Sequence, residues 1–345
     1  MADISGDRRK EFGTAAPVPT HRNLLSLSGG GYRGLFSAVV LERLEAELRQ
    51  RHPTEPDIRL RDQFSLIAGT SIGGLLACGL VMGVPAADLR ATLQQHGPLV
   101  FPRLPFKRTR QFAGHLYSPT HLAKAIDATL GTHASTTMDK VTHPLLVPAV
   151  SWVSAEPRLF RSGGLAGKDA STATLKDVCL ATAAAPTYFP PHTVSGDPLL
   201  DGGLVANAPD TIAIAAAVKR WNVSLHDLHV LSIGTAGVGG GGMQDAVPTS
   251  GAGWGRGALI IDFMMTTQER LAIETCRSML GTSYLRINHT PGPGQNRLSD
   301  LDVVDDSMTG TLSALAGAAF DSANAQHGTA LGLFLTSRGV RGESP

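Results

Sequence analysis

A short apolar run, FSLIA over residues 64–68, passes through Gly69-Thr70-Ser71-Ile72-Gly73 into a second apolar stretch, Ile72–Met82. That order constrains the chain to a strand that turns sharply into a helix, because the first run has strand length and the second has helix length. Gly69 and Gly73 remove side chains that would collide at so tight a turn. Ser71 is then held in a strained conformation above a sheet, at the positive end of the following helix, where a hydroxyl can act as a nucleophile. A glycine-rich turn that merely packs a helix on a strand leaves the same pattern, so the serine needs partners before chemistry can be assigned to it.

The flanking sequence repeats the alternation. Asn23–Leu27 and Phe64–Ala68 read as strands, and Leu35–Gln50 and Ile72–Met82 as helices. In the first helix Leu41, Leu44 and Leu48 share one face while charged residues fill the other. Leu145–Val153 and Leu159–Arg161 read as a strand pair around Ala155-Glu156-Pro157, and Val230–Ile233 as a further strand. Such alternation predicts an α/β fold with a mainly parallel sheet covered by helices on both faces. One domain is expected over residues 23–338, between flexible ends at 1–22 and 339–345. Ten glycines between Gly234 and Gly257 predict a mobile surface loop.

Two other strand ends carry glycine clusters. Ser28-Gly29-Gly30-Gly31-Tyr32-Arg33-Gly34 lies between a strand and a helix, and its bare backbone N–H groups can converge on a negative oxygen. The same residues fit a dinucleotide-binding turn, but Arg49, Gln50, Arg51, His52 and Pro53 stand where the ribose-binding acid should be. Leu199-Leu200-Asp201-Gly202-Gly203 ends a third apolar run in an acid. Alone, Asp201 would read as a turn residue. Together the three motifs supply a nucleophile, a base and an oxyanion site, the set that acyl transfer requires.

These blocks, with ATAAAPTYFPP at Ala181–Pro191 and LSIGTA at Leu231–Ala236, resemble in order the blocks of the patatin-like phospholipases. The resemblance covers about Asn23 to Ala236 and implies a three-layer α/β/α patatin-like fold with a Ser-Asp dyad. It implies Ser71 as nucleophile, Asp201 as general base, and Gly29, Gly30 and Gly31 as the oxyanion hole. Arg33 matches the family's basic residue in that loop and is expected to order it. Gly34, Gly69, Gly73, Gly202 and Gly203 complete the motifs. Ser28 departs from the pattern, because plant patatins carry an aspartate there. A carboxylate near its ordinary pKa of about 4 is a weak base for a serine, so Asp201 is expected in a partly dry site. His192, close to the PTYFPP block, is the alternative base.

Composition bounds the partners. With 30 basic and 29 acidic residues the formal charge is +1, which excludes global attraction to nucleic-acid polymers. Cys78, Cys179 and Cys276 lack disulfide or zinc spacing and read as reduced thiols of a cytoplasmic protein acting at the inner face of the membrane. No metal and no cofactor are expected to be required. The expected substrate is membrane phospholipid, met from the surface. Phe101–Phe112, which carries Arg103, Lys107, Arg108 and Arg110 among three phenylalanines, is the candidate for peripheral membrane contact. The chain is also similar to bacterial patatin-like effectors of antiphage signalling, which implies a cyclic dinucleotide activator. Its phosphates could meet Phe101–Phe112 or Arg256, Arg270 and Arg277. The sequence is compatible with a homo-oligomer. A general lipid esterase or thioesterase shares every residue named here, and a non-catalytic ligand-binding protein would use the motifs as scaffold.

Overall fold

The computed structural model describes residues 21–104, 114–165, 171–237, 259–292 and 296–336. The N-terminal segment up to residue 20, the tail from 337, most of the glycine-rich stretch (238–258, with Arg256) and the basic run beyond Leu104 lie outside the described residues.

Eight strands form one sheet: β1 (Arg22–Leu27), β2 (Leu66–Gly69), β3 (Leu145–Ser151), β4 (Pro157–Arg161), β5 (His192–Val194), β6 (Asp197–Asp201), β7 (Leu228–Ile233) and β8 (Tyr284–Ile287). Their order is β5-β6-β3-β2-β1-β7-β8, with β4 paired to β3 off this path. The pairings among β3, β2, β1, β7 and β8 are parallel, whereas β4, β6 and β5 join antiparallel.

The strands are apolar on both faces because both are covered. Leu25 and Leu27 of β1, Ile67 of β2, Val147 of β3 and Leu231 of β7 enter one core. That core holds helices α1 (Gly34–Arg51), α2 (Ile72–Val81), α3 (Ala86–Val100) and α9 (Asp306–Thr336). The alternating residues Leu24, Leu66, Leu146 and Val230 enter a second core under α7 (Asp210–Trp221) and α8 (Leu259–Leu280). The period-2 alternation of a strand thus places the sheet between two helical layers. The first core also takes in α4 (Pro119–Leu130) and α5 (Leu175–Thr182), and the short α6 (Gly203–Ala206) follows β6.

The element bounds lie within two residues of the sequence reading, and the shift at the end of β3 has a visible consequence. β3 ends at Ser151, two residues before Val153, because the Ser151 N–H donates to Glu156 O and Ala155 takes φ 56° to close the turn. Trp152 and Val153 therefore stand exposed at a hairpin tip. All three cysteines are free and buried.

Candidate active site

Ser71 caps α2 with φ 54° and ψ −122°, a conformation that non-glycine residues rarely adopt. It costs on the order of 1–3 kcal/mol. The turn is held from both sides. The Ser71 N–H donates to Thr182 Oγ1 at 3.0 Å, and the Thr182 hydroxyl donates to Pro148 O at 2.6 Å. Gly73 is required because a Cβ there would lie 2.3 Å from Leu27 O, so β1 could not approach the turn.

Asp201 ends β6, where register places it opposite Ala149 of β3. Its N–H donates to Ala184 O at 3.0 Å, and its Oδ1 accepts the Gly203 N–H at 2.6 Å. The Ser71 side chain approaches the carboxylate and favours its charged form. Burial pushes the Asp201 pKa up to about 7, and the Gly203 hydrogen bond and the nearby Ser71 side chain only partly oppose it. Gly202 donates to Thr182 O at 3.3 Å, so one threonine braces both strand ends.

The glycine loop leaves β1 and closes through a 3-10 turn, Gly31–Arg33, into α1 at Gly34. Gly31 has φ 57°, and a Cβ there would fall 2.3 Å from Leu301 O. The Gly29 N–H is committed to Asn207 O at 2.9 Å, and the Tyr32 N–H to Leu301 O at 2.8 Å. Neither the Gly30 nor the Gly31 N–H donates to a protein acceptor among the described residues. Arg33 is buried, with Nη1 donating to Leu298 O at 2.6 Å and Nε to Gly30 O at 3.4 Å, so it ties the loop to the 296–299 turn.

Gly30, Gly31, Ser71 and Asp201 open into one pocket whose walls include Leu75, Leu93, Leu122, Ile126 and Phe189. The aromatic cluster of Phe101, Tyr117, Tyr188 and Phe189 packs beside it. His192, the alternative base, points elsewhere: its Nε2 lies 3.1 Å from Asp177 Oδ1. His96 is the histidine on the pocket wall. No group of three or more metal-binding side chains occurs among the described residues.

A buried polar chain behind the loop carried no sequence signature. Asn207 donates from Nδ2 to Glu269 Oε2 at 2.6 Å, and Glu269 Oε1 meets Arg286 Nη2 at 2.7 Å. The Arg286 Nη1 and Nη2 each lie 3.3 Å from Ser28 Oγ, and Nη1 lies 2.6 Å from Ser232 Oγ. The hydroxyl of Ser28 thus faces a guanidinium paired directly with Glu269 of α8, with the charge of Asp210 of α7 acting on it as well. Two cations expected as phosphate contacts, Arg270 and Arg277, also lie on α8, where Arg277 stands 3.7 Å from Glu274.

A family model described as patatin-like phospholipase matches residues 25–214. The chain is 34% identical over 302 residues to a cGAMP-activated phospholipase of Pseudomonas aeruginosa, covering 86% of each chain. It is 32% identical over 271 residues to a cGAMP-activated phospholipase of Vibrio cholerae, covering 71% of this chain and 74% of that one. Patatin-03 of Solanum tuberosum is 29% identical over 319 residues, covering 84% and 78% respectively.

Proposed function

The chain belongs to the patatin-like phospholipase family, and from that premise we propose that it hydrolyses acyl esters of membrane phospholipids through a Ser71–Asp201 dyad. The observation that carries this reading is that Ser71 and the buried carboxylate of Asp201, its pKa pushed up to about 7, line one apolar pocket together. An ionised Asp201 takes the hydroxyl proton as Ser71 Oγ attacks the ester carbonyl. Gly30 and Gly31 donate N–H groups to the resulting oxyanion, while Gly29, whose N–H is held by Asn207, is set aside as a donor. The intermediate collapses to an acyl-enzyme as Asp201 returns the proton to the departing alcohol. Water, deprotonated by Asp201, then releases the acid and restores Ser71. The apolar walls suit an acyl chain.

A fluorophosphonate probe is expected to label the wild type and to leave Ser71→Ala unlabelled. Equal labelling of both would overturn the nucleophile assignment. His96→Ala is expected to retain turnover, which separates a carboxylate base from an imidazole base.

Because only the ionised carboxylate accepts the proton, kcat/KM on a soluble ester is expected to fall about tenfold per pH unit below pH 7 and to level off above it. A profile flat from pH 5 to 8 would remove Asp201 as base.

The relatives that are named cGAMP-activated phospholipases support a cyclic dinucleotide as activator of this chain too. Calorimetry with a panel of cyclic dinucleotides, read beside vesicle hydrolysis, tests this. Absence of both heat and activation rejects it.

A further inference from the structure

The strands β1, β2, β3, β7 and β8 run parallel, so their C-terminal ends define one end of the molecule, the end that carries Ser71 and the glycine loop. Asp201 lies level with Ala149 of β3. Trp152 follows three residues later, about 10 Å further along at roughly 3.3 Å per residue. The hairpin tip Trp152–Val153 therefore projects past the catalytic pair, with Trp152 69% and Val153 76% exposed.

Two helices bring further apolar side chains to the same end. α3 returns toward the pocket, which Val100 and Phe101 line, and Leu99 beside them is 55% exposed. α8 starts there, because Met265 lines the pocket and packs over Gly203, and Ile260, Phe263 and Met264 in its first turns are exposed. Of nine large hydrophobic side chains exposed among the described residues, these six share the active-site end. Met279 and Leu333 lie at the opposite ends of their helices.

We infer that this rim is a lipid-docking face, with the Trp152–Val153 tip as the wedge that enters the bilayer interface. The inference rests on the acyl hydrolase reading, since an apolar pocket opening on this face can take an acyl chain only if the face meets the lipid surface. A protruding two-residue tip suits a deformable layer into which an amphipathic indole can sink. It suits a second copy of the chain poorly, because a stable protein interface needs about 800 Å² from each partner with matched shape. No helix among the described residues is long and apolar enough to cross a membrane, so contact through this rim would be peripheral.

The test uses full-length chain in the non-hydrolysing Ser71→Ala background and vesicles of phosphatidylcholine with phosphatidylglycerol. Trp152→Ser/Val153→Ser is expected to lower sedimentation with vesicles roughly tenfold or more, whereas Met279→Ser and Leu333→Ser leave it within about twofold. Phosphatidylcholine with brominated chains is expected to quench the fluorescence lost on Trp152→Ser. Unchanged partitioning of the tip variant, or a wild type that does not partition, would overturn the docking face. So would a tip variant that only converts a dimer to a monomer in sedimentation equilibrium. Hydrolysis of a soluble butyrate ester with Ser71 intact should be equal in wild type and tip variant. If no ester is cleaved while the tip still governs vesicle binding, the hydrolase reading fails and the docking face stands.

Discussion

Asp201→Asn is expected to lower kcat about 10⁴-fold, the upper range for removal of a general base, while raising the protein's thermal midpoint. The two effects share one cause. Burial lifts the carboxylate from its ordinary value near 4 to about 7, so ionisation costs the folded state more than the unfolded chain. That difference is about 4 kcal/mol once both states are ionised. The sign follows from the raised folded pKa: the penalty is complete above pH 7, shrinks as pH falls, and vanishes below the unfolded pKa. Asparagine remains neutral throughout and can keep the Gly203 N–H as donor to its Oδ1. The variant should therefore gain several degrees at pH 8 and little at pH 4. Calorimetric scans at the two pH values, beside turnover of a soluble ester, measure both effects. Loss of activity without a pH-dependent gain in stability would mean that the carboxylate is not held in a dry site.

The same physics explains what the sequence made legible. β1, β2 and β7 are buried at nearly every position because helices cover both faces, and their apolar residues announce them as short runs between helical stretches. Ser71 and Asp201 were visible because glycine must flank turns where backbones nearly touch. The β3 boundary was less legible: Trp152 and Val153 have strand propensity, but Ala155 at positive φ and the Ser151-to-Glu156 hydrogen bond close the hairpin around them, and only the Trp152 N–H still bonds across, to Pro198 O of β6. Asn207, Glu269 and Arg286 were invisible because each is an ordinary polar residue on a separate element, and only the fold makes them neighbours. Ser28 was the one trace, a departure from the resembled pattern that named none of these three partners.

Those partners lead to the second large effect. Arg286 and Glu269 are both almost wholly buried, and the pair is linked through Asn207 to the Gly29 N–H at the entrance of the proposed oxyanion site. Glu269→Leu strands a buried guanidinium and is expected to cost about 3–5 kcal/mol of stability. The milder Glu269→Gln keeps the shape and an acceptor for Asn207 but removes the acid paired directly with Arg286, leaving only the charge of Asp210 to act on it. Because Ser28 Oγ stands 3.3 Å from both terminal nitrogens of Arg286, a carboxylate at position 28 would face the same guanidinium from the loop side. Ser28→Asp in the Glu269→Gln background should therefore recover much of the lost stability and turnover, whereas Ser28→Asp alone places a second acid against a satisfied arginine and should destabilise. A double-mutant cycle on unfolding free energy and kcat tests the exchange. Additive effects would show that the two positions do not share Arg286, and that the glycine loop is held by its backbone contacts alone.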